Sequence, residues 1–179
     1  MTRYLALLRG INLGANRRVA MARLRELLGE AGYVDVATHL QSGNVLLGST
    51  RSASAVAKDL AQRIEAEWGF AVPVIVRTEA QLAAVVAADP LGDVATDPAR
   101  YLVTFFEHAP KRDALDALDA DELLPERFAL LGSEVYTWMP DGVQNSPVQR
   151  ALAKLDGQAP GTARNWRTVT KLLELLQAP

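Results

Sequence analysis

The chain has 179 residues and no cysteine, and its 19 basic and 21 acidic side chains leave a formal net charge of -2. The lack of cysteine excludes disulfides, thiolate metal sites and cysteine nucleophiles, and the balanced charge excludes a global field that would hold polyanions. Because 49% of the residues are apolar, with no run near the ~20 that span a membrane and no signal-peptide pattern, we expect a folded cytoplasmic protein.

The first 76 residues predict the element order β-α-β-β-α-β. The elements are a buried strand at Tyr4–Leu8, a helix on Leu24, Leu27, Leu28 and Ala31, strands at 34–40 and 45–47 around a Gln41–Asn44 turn, a helix on Val56, Leu60 and Ile64 that Gly69 ends, and a strand at Val72–Val76 with Pro73 near its start. This is the order of a ferredoxin-like fold, an antiparallel sheet with helices on one face.

A similar order follows in the rest of the chain. Its elements are a helix at Glu79–Ala87 with a Thr78/Gln81 capping box, a strand at Tyr101–Phe106, a helix from Pro110 carrying Leu115 and Leu118, a hairpin of 128–131 and 135–139, a helix behind the Ser146-Pro147 cap, a break at 156–161 and a terminal helix. We therefore predict an α+β protein of two ferredoxin-like subdomains packed together. Residues 1–88 form the first subdomain, 89–99 a linker, and 100–179 the second subdomain with the terminal helix.

The segment from Thr162 to Lys171 has more polar donors than a packing helix needs. If this helix begins near Ala163, then Arg164, Thr168 and Lys171 lie on one stripe, with Arg167 at its margin. The free N–H groups and positive dipole at a helix start favour a phosphate or carboxylate close to Arg164. The alternative is an internal partner, because carboxylates of the other subdomain could neutralise this arginine.

Two further polar segments are candidates for ligand contact. Arg9–Gly14 follows the first strand, and its glycines permit a loop whose N–H groups, with Arg9 and Asn12, could contact an anion. Gln41–Asn44 forms a polar hairpin tip that offers the amides of Gln41 and Asn44. Each segment also has a purely structural explanation, since Asn, Ser and Gly are ordinary turn residues whose side chains bond their own backbone.

The rest of the sequence offers little chemistry. His39 and His108 have no partner at metal-ligand spacing, so we expect no metal site and no cofactor. The serines lack a nucleophile-elbow context, and no general base is evident, which leaves enzymatic activity undecided. The acidic residues between Asp113 and Glu122 are interpreted as a solvated face.

In these polar segments the chain resembles the domain-of-unknown-function 1697 family of small bacterial proteins. The resemblance covers essentially the whole length of the chain. The motifs that carry the resemblance are Ala6–Gly14, Met21–Leu24, Leu40–Val45 and Thr162–Trp166. The chain departs from the family pattern at Ala20, where proline is common, and at Leu13-Gly14-Ala15, where a valine and a second glycine are usual. The resemblance implies two ferredoxin-like α+β halves and brings no established activity.

These observations favour binding of a small anionic ligand, a nucleotide or phosphorylated metabolite, between the two subdomains. The expected ligand-binding residues are Arg9, Asn12, Gln41, Asn44, Arg164, Asn165, Thr168 and Lys171. The alternatives are a structural or protein-interaction module without a ligand and a weak single-stranded nucleic-acid binder. The nucleic-acid alternative is disfavoured because the strand segments Leu5–Leu8 and Val45–Leu47 carry no aromatic residue on which bases could stack.

Overall fold

The computed structural model describes residues 1–14, 16–111, 113–116, 123–156 and 161–178, without the side chains of Ala114 and Asp156. The chain forms two compact units, unit 1 with Met1–Ala84 and Lys171–Pro179, and unit 2 with Val85–Thr170. Within the described ranges, no helix combines the length and apolar character that crossing a bilayer requires. The predicted helix position Leu118, the acidic positions 119–122 and most of the predicted break lie outside the described residues.

Unit 1 is built on a four-stranded antiparallel sheet. Its elements are β1 (Thr2–Leu8), α1 (Met21–Glu30), β2 (Val34–His39), β3 (Asn44–Ser49), α2 (Ala53–Trp68), β4 (Val74–Thr78), the beginning of α3 (Glu79–Ala88) and the end of α6 (Trp166–Gln177). The strand order is β2-β3-β1-β4, so β1 is central and β4 lies at an edge, where a nearby proline is tolerated. Within β1, Leu5 is paired with Leu46 on one side and Arg77 on the other.

The core of unit 1 follows from two apolar periodicities. Every second residue of β1 faces the helices, beginning with Tyr4 and ending with Leu8. The helices meet this face with apolar residues at helical spacing, which are Met21, Leu24 and Leu28 in α1 and Val56, Leu60 and Ile64 in α2. All of these side chains are buried, so the predicted amphipathic helices are confirmed.

The helix ends of unit 1 also agree with the sequence. Ser52 caps α2 by accepting the Ala55 N–H, and Gly69 ends that helix in the left-handed conformation at φ 76°. The capping box of α3 is formed, because Thr78 N donates to Gln81 Oε1 over 2.9 Å and Gln81 N to Thr78 Oγ1 over 3.1 Å. These local signals set where the helices begin and end.

Asp59 of α2 is the centre of a charged network on unit 1. Its Oδ2 accepts hydrogen bonds from Tyr33 Oη at 2.9 Å and Arg63 Nε at 2.7 Å, and it lies 3.4 Å from Arg51 Nη1. Partial burial opposes ionisation of Asp59, yet the hydrogen bonds from Arg63 and Tyr33 and the charges of both arginines keep its pKa below the usual value. Burial and the neighbouring carboxylate raise the pKa of Tyr33 to about 12.

We expect Asp59→Asn to lower the free energy of unfolding by about 1–2 kcal/mol at pH 7, since charge-assisted hydrogen bonds are lost. A carboxyl group whose pKa is lowered in the folded state stabilises the protein fully above its unfolded pKa of about 4. That contribution disappears as the pH falls through the lowered native value. Urea unfolding from pH 7 to pH 2 should show the wild type and the variant converging, and a pH-independent difference would contradict this account.

Unit 2 contains a second four-stranded antiparallel sheet. After the end of α3, its elements are β5 (Tyr101–Phe106), α4 (Asp113–Asp116), β6 (Arg127–Leu131), β7 (Glu134–Trp138), α5 (Pro147–Asp156), β8 (Gly161–Asn165) and the start of α6 (Trp166–Gln177). The strand order is β6-β7-β5-β8. Ser146 caps α5 as predicted, because its Oγ accepts the Gln149 N–H over 2.9 Å. One face of this sheet packs on α5, with Phe106 and Val135 against Val148, Leu152 and Leu155.

The prediction of a helix starting near Ala163 is wrong. Residues Gly161–Asn165 form β8, which pairs with β5 so that Ala163 lies opposite Thr104 and Arg164 opposite Val103. The helix begins only at Trp166, and Asn165 caps it by accepting the Thr168 N–H over 2.9 Å. Arg164 therefore does not share a helical stripe with Thr168 and Lys171, and the argument from helical spacing fails.

Candidate functional site

The loop that follows β1 is held in place by the side chain of Asn12. Its Nδ2 donates to Val19 O at 3.1 Å and to Gln41 O at 2.8 Å, and its Oδ1 accepts the Val19 N–H at 2.9 Å. The residue has a positive φ of 54°, a conformation that asparagine tolerates better than most residues. Asn12 therefore joins both ends of its own loop to the β2–β3 turn, which matches the structural interpretation of this position.

Arg17 fixes the same loop from its outer side. Its Nε donates to Gly10 O at 2.9 Å and its Nη2 to Ala71 O at 2.7 Å. The guanidinium also lies over the ring of Phe70, 4.9 Å from the ring centroid. The Arg17 side chain thus links the loop to the segment before β4.

The β2–β3 turn packs tightly beneath this loop. Asn44 is fully buried and donates from Nδ2 to His39 O at 2.8 Å and to Ser42 Oγ at 3.1 Å. Gly43 O accepts the Leu8 N–H at 2.8 Å, and a Cβ on Gly43 would lie 2.7 Å from Leu8 Cβ. Gln41 is exposed, so of the two predicted amides in this turn, Gln41 faces solvent and Asn44 faces the protein.

A depression of about 400 Å³ lies between the loop and the turn. Its lining residues are Asn12, Gly14, Arg18, Val19, Ala20 and Gln41. Arg18 is exposed at its rim and, among the residues that the structure describes, has no hydrogen-bond or ion-pair partner. Arg18 is thus an exposed guanidinium beside a loop that Asn12 and Arg17 connect to the neighbouring backbone by hydrogen bonds.

Arg9 lies at the start of this loop and is half-buried. Its backbone N–H donates to Pro73 O at 3.0 Å, which continues the pairing between the ends of β1 and β4. Arg9 does not line the depression among the described contacts, so Asn12 and Gln41 are the two predicted residues that do.

The other predicted residues belong to the segment around β8 and α6. Arg164 is only 8% exposed, and its Nη1 donates to Thr162 Oγ1 at 2.7 Å and to Ala163 O at 2.8 Å. Burial lowers the pKa of Arg164 to about 10, because removing a guanidinium from water disfavours its charged form. A side chain buried to this degree, with protein acceptors on its donors, is less accessible to a ligand than Arg18.

Asn165, Thr168 and Lys171 have local roles in α6. The Asn165 side chain caps the helix on the N–H of Thr168, whose own side chain is buried. Lys171 is exposed and pairs with Glu174, with 2.9 Å between Nζ and Oε2. A surface pair of this kind contributes little to stability and leaves the lysine able to exchange partners.

Arg18 is not among the ligand-binding residues that the sequence predicts, and it stands directly beside Arg17 in the chain. The two side chains have different surroundings, since Arg17 donates hydrogen bonds to backbone carbonyls and Arg18 lines the depression. Only the fold distinguishes them, because neighbouring residues of the same type look alike in sequence. In the part of the chain described here, no group of three or more histidine or acidic side chains is arranged to hold a metal ion.

Comparisons with known proteins agree with this architecture. A search of solved structures finds the conserved bacterial protein SP0830 from Streptococcus pneumoniae, with a TM-score of 0.80 and 23% sequence identity over 98% of this chain and 99% of that one. At this identity the likeness shows the fold alone. No curated protein matches the sequence. The family described as Protein of unknown function (DUF1697) matches residues 1–136, and the chain therefore belongs to the DUF1697 family.

Proposed function

We propose that the protein binds a small anionic ligand, a nucleotide or phosphorylated metabolite, in the depression of unit 1. The observation that carries this proposal is the exposed Arg18 guanidinium at the rim of an open depression of about 400 Å³. A guanidinium recognises phosphate and carboxylate through paired, charge-assisted hydrogen bonds. The exposed Gln41, which lines the same depression, supplies a neutral amide donor and acceptor that would orient the rest of the ligand.

The rigidity of the walls supports the same proposal. The Asn12 side chain makes three hydrogen bonds, two as donor and one as acceptor, and Arg17 donates two more, so the loop is connected to its neighbours without a ligand. A preformed site loses less conformational entropy on binding than a flexible one, so modest contacts give measurable affinity. In this proposal Asn12 positions the wall of the site, while Arg18 and Gln41 contact the ligand.

The proposal is tested by thermal-shift and calorimetric titration with AMP, ribose 5-phosphate and inorganic pyrophosphate. We expect at least one of these anions to raise the melting temperature of the wild type, and Arg18→Ala to weaken its binding about tenfold or more, since a charged hydrogen bond is lost. Arg25→Ala is the matched control, because Arg25 is exposed on α1 and its loss changes the net charge equally. If no anion binds, or if both variants weaken binding equally, the proposal is wrong.

The protein-interaction alternative rests on two exposed leucines. Leu13 is 76% exposed in the loop after β1, and Leu40 is 56% exposed in the β2–β3 turn. Large apolar side chains at adjacent loops are common at protein contacts. This alternative predicts that none of the three anions gives a signal that depends on Arg18, so the same titration separates the two functions.

A nucleic-acid function has less support from the aromatic residues. Tyr101, Phe105, Phe106 and Tyr136 are each at most 1% exposed, and Trp138 is 7% exposed. Base stacking needs accessible rings. The aromatic side chains of β5 and β7 are therefore packed in the protein interior.

We also infer that each unit is a ferredoxin-like module. The supporting observation is that both units have the element order β-α-β-β-α-β and place the first strand between the third and fourth. The eighth strand is essential to this inference, since it gives unit 2 its fourth strand. Ligand sites in the loops beyond the strand ends suit such a scaffold, because loop residues there are positioned by a rigid sheet.

A further inference from the structure

Three loops meet at one end of the unit 1 sheet. They are residues 9–20 after β1, residues 40–43 between β2 and β3, and residues 69–73 before β4. Asn12 Nδ2 in the first loop donates to Gln41 O in the second at 2.8 Å. Arg17 Nη2 in the first loop donates to Ala71 O in the third at 2.7 Å. The three loops therefore form one connected surface, which we call the loop end of unit 1.

The loop end is basic, although the chain as a whole is slightly acidic. Its three loops contain Arg9, Arg17 and Arg18 and no aspartate or glutamate, whereas the whole chain has a formal net charge of -2. The carboxylate nearest to these loops along the chain is that of Glu67, which pairs with Arg23, with 2.8 Å between Oε1 and Nε. The loop end is therefore complementary in charge to an anionic partner.

Two leucines project from the same surface. Leu13 is 76% exposed and Leu40 is 56% exposed. The backbone turns sharply at Leu13, since φ is positive on both sides of it, at 54° in Asn12 and at 71° in Gly14. One exposed leucine is ordinary in a folded protein, but two on loops that bond to each other form an apolar patch within a basic surface.

The two leucines lie beside the depression of unit 1 and are not among its described lining residues. A small anion in the depression would therefore leave both leucines in water. A partner that covers them and also reaches Arg18 must be wider than the depression, and it must combine apolar and anionic groups. The surface of a bilayer with anionic lipids has this combination, since headgroup phosphates lie above the acyl chains.

A folded protein partner fits the loop end less well. Protein interfaces derive most of their binding energy from aromatic residues and arginine, and leucine is under-represented among the residues that contribute most. The one aromatic residue in the three loops is Phe70, and the Arg17 guanidinium covers its ring at 4.9 Å from the centroid. A membrane surface requires inserted apolar side chains and nearby cations, and the loop end has both.

We propose that the loop end of unit 1 docks on a bilayer that contains anionic phospholipids, with Leu13 and Leu40 inserted among the acyl chains and a headgroup phosphate bound at Arg18. This proposal rests on the anion site proposed for the same depression, and it names a lipid phosphate as the ligand. Two leucines bury less apolar surface than a single myristoyl chain, which by itself gives only marginal binding, so the docking is weak and reversible.

The test is sedimentation of the full chain with vesicles of phosphatidylcholine alone and of an equal mixture with phosphatidylglycerol. We expect the protein to sediment with the mixed vesicles only, and to be released at an ionic strength of about 1 M, where the Debye length is about 3 Å. Leu13→Ser/Leu40→Ser should weaken the binding to mixed vesicles about tenfold or more, since two inserted side chains are lost. Arg18→Ala should weaken it about fivefold.

A matched control and a soluble probe accompany the vesicles. Leu124→Ser/Leu131→Ser is the control, because these leucines of unit 2 are 55% and 43% exposed and lie outside the loop end, and it should sediment like the wild type. Glycerol 3-phosphate is the soluble probe, measured by calorimetry. It should bind the wild type and Leu13→Ser/Leu40→Ser equally, because these leucines are outside the described lining of the depression.

The proposal is overturned if the wild type sediments with neither kind of vesicle or equally with both. It is also overturned if Leu13→Ser/Leu40→Ser or Arg18→Ala sediments like the wild type, or if the unit 2 control loses sedimentation to the same degree. This failure is distinct from failure of the anion site. If glycerol 3-phosphate binds in a manner that depends on Arg18 while the vesicles do not bind, the anion site stands and its ligand is a soluble phosphate.

Discussion

Replacing Gly43 by alanine is expected to lower the free energy of unfolding by about 2–4 kcal/mol, a large share of the stability of a typical domain. Two costs add at this position. Its φ of 79° is in the left-handed region, where an L-residue costs about 1–2 kcal/mol. The new Cβ would also lie 2.7 Å from Leu8 Cβ, at the buried end of the central strand β1, where the backbone cannot move without disturbing the sheet.

Gly69→Ala is the matched control for Gly43→Ala. Gly69 has nearly the same φ of 76°, yet a Cβ there would have no heavy atom within 4 Å apart from its chain neighbours. Its loss should therefore cost only the backbone term, about 1–2 kcal/mol. Urea unfolding gives the loss of unfolding free energy in each variant. The loss in Gly43→Ala minus the loss in Gly69→Ala is the cost of the steric contact with Leu8. Equal destabilisation of the two variants would show that the Leu8 contact relaxes freely and would contradict this account.

Much of the fold could be predicted because its elements follow ordinary apolar periodicity. The predicted strand Tyr101–Phe106 has the observed bounds, and both helices of unit 1 have their apolar residues in the core. The caps at Ser146 and Gly69 were also predictable, since they depend on local backbone chemistry. In these places the local preference and the tertiary structure agree.

The strand β8 could not be predicted in the same way. Its Thr162 and Arg164 are buried while Ala163 between them is exposed. Buried and exposed positions therefore alternate as in other strands, but here the polar residues are buried and the apolar residue is exposed. A rule that equates buried positions with apolar residues misses such a strand. The pairing with β5 explains why these residues are extended, and pairing between distant segments is not visible in a local sequence pattern.

The candidate site was only partly predictable for a related reason. The sequence selected Asn12 and Gln41, which do line one depression, but it could not tell a side chain that builds the wall from one that faces the ligand. Asn12 has three hydrogen bonds to the backbone, whereas Arg18 in the same loop has an exposed guanidinium. Such a distinction depends on the direction of each side chain, which the tertiary structure sets.

Asn12→Ala should test this division of roles and lower the free energy of unfolding by about 3 kcal/mol. The change removes three hydrogen bonds, each with a net contribution of about 0.5–1.5 kcal/mol, and it leaves the Val19 N–H without its acceptor. Alanine also tolerates the positive φ less well than asparagine, which adds a smaller backbone cost. Urea unfolding measures the total loss of unfolding free energy. Faster hydrogen exchange of the Val19 amide would show that the destabilisation is in the loop.

Asp35→Ala supplies the control that separates these terms. Asp35 is exposed in β2 with a φ of 50°, close to the 54° of Asn12, so its replacement carries the backbone cost alone. The excess destabilisation of Asn12→Ala over Asp35→Ala then measures the hydrogen bonds that join the loop to the β2–β3 turn. If that excess is absent, or if the Val19 amide keeps its protection, Asn12 does not hold the wall. In the expected case, loosening of the wall should weaken anion binding even though the Arg18 guanidinium is intact, because the depression must then be ordered by the ligand itself.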